Sequence, residues 1–272
     1  MHKLFHLLLL FSGLLFGYSV FAQNEPSPYY LSLKREIIYG GSGLIGTAAG
    51  TYLNRNVKPI TFGELRSPNL LDIDQIDILD DDDLGFEFAP KSAGQLSDIT
   101  LYTSLGLPAL FLGHKRTRRD FGTIGLLYLE TMLINQAITD ITKYTVLRPR
   151  PLVWTEGFTS DHSLSSNDRA SFFSGHTSGS AAASFFFARV FSDYFPDSQL
   201  KPYVWGVAAT LPTVTGYLRV KAGKHYPTDV LIGYLVGGAV GYLVPTLHRR
   251  PLKERRLKVS PGIGGFNLNL EF

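Results

Sequence analysis

Cysteine is absent from all 272 residues. That excludes disulfides, thiolate-held metals and a lipid-modified cysteine at a mature N-terminus. Charge is sparse as well: 18% of residues are charged, with 26 Lys and Arg against 23 Asp and Glu, a net of +3. So small a basic excess, not gathered into one long patch, argues against nucleic acid as a partner. General disorder is excluded by 44% apolar and 13% aromatic residues, which leave ample surface to bury. The length suits one or two domains whose core needs no cross-links.

Lys3 is followed by an apolar stretch over residues 4–17, and then by Val20, Phe21 and Ala22 ahead of Gln23. A short basic start, an apolar middle and small residues at the end read as a secretory signal peptide over 1–22, cleaved after Ala22. An uncleaved membrane anchor is the alternative. Six apolar stretches of helical length follow, at 37–53, 99–113, 121–141, 177–191, 203–218 and 230–247. They outrun ordinary strands and turn residues separate them, so the expected fold is all-α, a bundle of about six helices. Between the first two lies an acidic run, 72–83. A calcium loop fails there because Asp77 stands where the EF-hand needs glycine, and a solvated loop is expected. The tail is basic over 249–258, and 266–272 alternates as one short strand would. The expected divisions are the signal peptide (1–22), an N-terminal helix with the acidic loop (23–96), a core (97–248) and the tail (249–272).

Three clusters carry chemistry. Lys143 and Arg150 lie seven residues apart at the end of the third helix, where Pro149 and Pro151 end the helix and leave Arg150 on a turn. Taken alone, this is also what a basic helix end meeting its own dipole looks like. Ser174-Gly175-His176 stands directly before the fourth helix. Free N–H groups and the dipole make that place an anion site, although Ser174 or Thr177 could simply cap the helix. In the third cluster, Arg219 to Asp229, Pro227 suits the first turn of the sixth helix. Asp229 then reaches back to His225, holds one imidazole tautomer and frees the other nitrogen. A histidine so oriented, among Arg219, Lys221 and Lys224, is equipped to attack phosphorus.

Together the clusters resemble the type 2 phosphatidic acid phosphatase family, which shares its site with vanadium haloperoxidases and bacterial class A acid phosphatases. The family pattern is Lys, six residues, Arg-Pro; Pro-Ser-Gly-His; and Ser-Arg, five residues, His, three residues, Asp. Lys143, Arg150 and Pro151 fit the first part, and the spacing selects Arg150 over Arg148. Ser174, Gly175 and His176 fit the second with Phe173 in place of Pro; Arg219, His225 and Asp229 fit the third with Leu218 in place of Ser. The resemblance covers roughly 99–247. It implies metal-independent hydrolysis of a phosphate monoester or diphosphate, with no cofactor. His225 is the implied nucleophile, Asp229 its orienting partner and His176 the acid that protonates the leaving oxygen. Lys143, Arg150, Arg219, Ser174 and Gly175 are the implied phosphate binders. Aromatics and glycine-rich helices suit a lipid-linked substrate. A vanadium haloperoxidase, or a binding protein with an inactive site, are the alternatives.

Location draws on two conflicting signals. Lys115, Arg116, Arg118 and Arg119 follow the second helix and basic residues follow the sixth, which under the positive-inside rule places the motifs in the periplasm. A cleaved signal peptide followed by six full spans would place them in the cytoplasm. Most charge-free runs fall short of the ~20 residues that a span needs, and Glu130, Asp140 and Arg189 interrupt two of the helices. The expectation is therefore an exported protein, associated with a membrane surface or partly embedded, with its active site facing the periplasm.

Overall fold

The computed structural model describes residues 26–65, 91–154, 164–250, 256–262 and 265–271. The expected signal peptide and the acidic run 72–83 lie outside them. The helices are α1 (Leu33–Asn56), α2 (Phe62–Leu65), α3 (Lys91–Gly106, prolonged by a 3-10 segment Leu107–Gly113), α4 (Lys115–Arg119), α5 (Phe121–Val146), α6 (Gly175–Tyr194), α7 (Lys201–Lys221) and α8 (Pro227–Leu247). The expected all-α bundle is the observed one. Each of the six long helices extends past its apolar run, because polar termini add turns that an apolar count omits. Helix α3 begins at Lys91, eight residues before the uncharged stretch starts.

The tail differs from expectation. Strand β2 (Gly265–Glu271) lies where one strand was expected, but it pairs antiparallel with β1 (Arg256–Gly262), Arg256 opposite Glu271. A lone strand leaves its backbone groups unpaired, and the preceding basic segment supplies the partners.

Helix α6 is the centre of the bundle. It packs against α8, α7, α3 and α5, while α1 packs on the outside of α5. Fourteen of its twenty residues are buried, among them Ser178, Ala182, Phe186 and Phe191. Small residues let α8 approach it backbone to backbone. A Cβ at Gly233 would lie 2.6 Å from the Ser174 carbonyl oxygen, and at Gly237 and Gly241 it would come nearer still to those of Ser178 and Ala182. Both rows step by four residues, one face of each helix. This seam fixes the start of α6 against the start of α8. A similar seam seats α1: added Cβ atoms at Gly46 and Gly50 would meet Ala137 and Asp140 of α5 at 2.6 and 2.5 Å.

Helix α5 ends at Leu147, which takes a left-handed φ of 55° and donates its N–H to the Lys143 carbonyl. Glycine usually fills that position. The reversal turns Arg148 and Arg150 back over the bundle end, and two prolines keep the chain from resuming the helix.

Candidate active site

All three clusters meet at one end of the bundle, where α5 and α7 finish and α6 and α8 begin. The backbone ties them: Ser174 donates its N–H to the Asp229 carbonyl at 3.0 Å, and Leu152 donates to Gly223 at 2.9 Å. The stem of Lys143 crosses the start of α6, so that a Cβ at Gly175 would stand 3.5 Å from Lys143 Cε. Arg150 donates to the Lys224 carbonyl at 3.0 Å and has Nη1 3.5 Å from His225 Nε2. Glycine at 175 and the tight α6–α8 crossing are therefore what let three separate segments share one small volume.

His225 is 1% exposed. Its Nδ1 lies 3.5 Å from Asp229 Oδ2. That is an ion-pair separation, longer than a good hydrogen bond, of the kind that tightens when a ligand enters. Burial, then the charges of Lys143, Arg150 and Arg219, hold the imidazole well below its usual pKa. The ring is consequently neutral near pH 7, with its Nε2 lone pair toward the cations.

Lys143 and Arg150 are held by oxygens that carry no full charge. Lys143 Nζ donates to the Ala170 carbonyl at 2.6 Å, keeping two of its protons for a ligand. Arg150 donates through Nε to the Asn167 carbonyl at 2.8 Å and through Nη2 to Asn167 Oδ1 at 2.9 Å. Arg219 donates to Ser97 Oγ at 3.4 Å and lies 4.0 Å from Asp98. Burial lowers Lys143 to about 7, with Arg150 adding repulsion, and lowers Arg219 to about 10. Among the described residues, three cations with only the Asp98 carboxylate in ion-pair range form a site that favours an anion. Ser174 caps α6: its Oγ accepts from Thr177 Oγ1 at 2.9 Å and keeps its own proton to donate. Capping and anion binding are compatible, so the two readings of that serine do not compete.

Four residues that sequence reasoning passed over complete the arrangement. Arg148 donates to Asp229 Oδ1 at 2.9 Å, and Ser171 donates to Oδ2 at 2.5 Å. Asp98, on α3, lies 2.9 Å from His176 Nε2. Asn167 fixes Arg150, as above. Arg148 sat inside a recognised cluster, but the spacing chose its neighbour. Ser171, Asp98 and Asn167 carry no signal in the chain that marks them as polar residues of a site.

His176 is brought to the mouth, 31% exposed at its side chain. Burial and then Arg219 depress it to about 4, against the hydrogen bond it donates to Asp98. A neutral ring with Nε2–H aimed at Asp98 is its state near pH 7.

Fold and cage together define a helical bundle built around an oxyanion-binding site. The PAP2 superfamily model matches residues 124–253, a segment that carries all three clusters. A curated relative, phospholipid phosphatase 1 of Mus musculus, is 29% identical over 157 residues, covering 49% of this chain and 54% of the relative. The chain thus spans about half the length of that relative. A crystal structure of a transmembrane PAP2 type phosphatidylglycerolphosphate phosphatase from Bacillus subtilis overlaps 79% of this chain and 96% of its own, at 19% identity and a TM-score of 0.46.

Proposed function

We propose that the chain is a lipid phosphate phosphatase that works through a phosphohistidine. The observation that carries this is the neutral, buried His225 held between Asp229 and Arg150. His225 Nε2 attacks phosphorus in line, the P–O bond to the leaving group breaks, and Asp229 balances the imidazolium that forms. Lys143, Arg150 and Arg219 meet the equatorial oxygens, where transition-state charge resides. Ser174 and the Gly175 amide donate the remaining hydrogen bonds. His176 delivers a proton to the leaving oxygen, having been recharged by the bound dianion, since a depressed pKa rises when an anion arrives. Water then cleaves the P–N bond, and inorganic phosphate leaves.

A lipid-linked substrate fits the outer surface of the bundle. Ile37 and Ile45 of α1, Ile99 of α3, Leu129 of α5, Tyr217 of α7 and Leu235 of α8 are exposed. An apolar surface on that scale marks a membrane or partner contact. Among the described residues, two helical segments, Lys91–Gly113 and Pro227–Leu247, are long and apolar enough to cross a membrane. The reading is of a membrane-associated enzyme, exported, with its site on the periplasmic side.

The test is phosphate release from phosphatidate, a polyprenyl diphosphate, a lipid A phosphate and nitrophenyl phosphate by the purified chain. Wild type should release phosphate from at least one lipid and accumulate acid-labile phosphate on the protein, and His225→Ala should do neither. Retention of a tenth of wild-type turnover by that variant refutes the nucleophile. Vanadate-dependent halide oxidation in place of hydrolysis would assign the cage to a haloperoxidase.

A further inference from the structure

A second polar cluster lies outside the phosphate site. Glu36 of α1, Glu130 of α5 and His248, just past α8, bring ligand atoms within 4.8 Å of one another. His248 is 0% exposed and Glu130 2%. His248 Nε2 stands 3.4 Å from Glu130 Oε2 and 3.7 Å from Glu36 Oε1. Glu130 Oε2, His248 Nε2 and Glu36 Oε2 are buried and make no hydrogen bond. Buried polar atoms left unpaired are costly, and here three belong to one cluster.

We propose that these residues hold a zinc-class divalent cation that staples α1 to the rest of the bundle. The tautomer fits: His248 Nδ1 lies 2.8 Å from the Val244 carbonyl, so Nδ1 carries the proton and Nε2 presents its lone pair. A backbone carbonyl on the far nitrogen is the usual outer support of a metal-bound histidine. The spacing fits: bonds of ~2.0–2.1 Å in a tetrahedron put ligand atoms roughly 3.4 Å apart. The charge fits: among the described residues the ion pairs of both carboxylates go to His248, none to Lys or Arg. Two carboxylates and a neutral imidazole carry −2, which a divalent cation cancels. Gly40 accommodates the Glu130 side chain, since a Cβ there would come within 3.1 Å of Oε1. One imidazole and two carboxylates form a nitrogen–oxygen set suited to first-row divalent ions. The second oxygen of Glu36 or a water completes the sphere.

The site would anchor α1 where its packing is otherwise one-sided. The same end of the bundle is closed by a backbone bridge from Tyr29 to Arg249. Metal binding to the folded chain adds stability by mass action.

The test uses the full chain in detergent, purified without a histidine tag and stripped with chelator. Zn2+ titration should give one equivalent per chain and a melting temperature several degrees higher. Co2+ should give the intense visible bands of a four-coordinate ion. His248→Gln and Glu130→Gln should each weaken binding at least tenfold, whereas His225→Ala should leave it unchanged. Wild type that takes up less than a tenth of an equivalent, with an unmoved melting curve, overturns the proposal and leaves a shared proton in its place. Binding that survives His248→Gln and disappears in His225→Ala also overturns it. Because wild-type stoichiometry and the Co2+ spectrum need no variant to fold, the outcome does not depend on the mutants.

Discussion

Arg148 is the most informative residue to perturb, because the motif spacing passes over it and the structure does not. Its guanidinium is 2.9 Å from Asp229 Oδ1, with side-chain exposures of 9% and 0%, and lies 3.8 Å from the centroid of the Tyr226 ring. Arg148→Ala leaves a fully buried carboxylate without its cation, a change that costs about 3–5 kcal/mol. For a domain of this size that is a fall of roughly 6–20 °C in melting temperature, at ~2–4 °C per kcal/mol. The carboxylate can escape by taking up a proton, but it then orients His225 less well, so kcat falls with stability. Asp229→Asn separates the two effects. It keeps a side chain for Ser171 and the Tyr226 N–H to bond, yet loses the charge, and kcat should drop on the order of 10³–10⁴ as in other histidine–carboxylate pairs. The double variant Arg148→Ala/Asp229→Ala should melt above Arg148→Ala alone, since it removes the orphaned charge. Thermal unfolding in detergent and nitrophenyl phosphate turnover read both quantities. An Arg148→Ala protein melting within ~2 °C of wild type at unchanged kcat would refute the clamp, because mutants of a buried, coupled pair are not neutral.

Inhibition by inorganic phosphate should weaken as pH rises through about 7, where Lys143 loses its proton; a competition constant flat from pH 6 to 9 would contradict this. Stability should move the opposite way. Lys143 and His225 have folded pKa values below their unfolded ones, so the unfolded chain binds more protons, and the melting temperature should climb from pH 5 to 9. His176→Ala should harm alkyl phosphates far more than nitrophenyl phosphate, and Asp98→Asn, which removes a bond that raises His176, should shift the basic limb of kcat to lower pH. Equal losses on both substrates would sink the acid assignment. Gly237→Ala should cost about 1–3 kcal/mol by pushing α8 off the Ser178 carbonyl, with activity falling because α6 carries Ser174 and His176; circular dichroism melts would show no shift if the seam is looser than it looks.

The chain alone was enough for the helices, the three clusters and their order, because apolar runs and fixed spacings are local and survive without coordinates. Lys143, Arg150, Ser174, Gly175, His176, Arg219, His225 and Asp229 were all legible that way, and all lie at one bundle end. Their bounds were less legible: a helix continues through polar residues as long as its backbone is satisfied, so Lys91 to Asp98 of α3 escaped notice and Asp98 with them. The partner of β2 was missed for a similar reason, since Arg256 to Gly262 carries charge and proline where a strand pattern was sought. Tertiary structure alone decided which arginine meets the carboxylate, because Leu147 in a left-handed turn aims Arg148 at Asp229 and Arg150 at His225. It alone decided that His225 is buried and neutral, a matter of what surrounds the ring and not of what precedes it. It also gathered Glu36, Glu130 and His248, which stand 94 and 118 residues apart in sequence. No periodicity records such a meeting: it exists only once glycine seams set the helices at their crossing distances, and desolvation then assigns each buried group its charge.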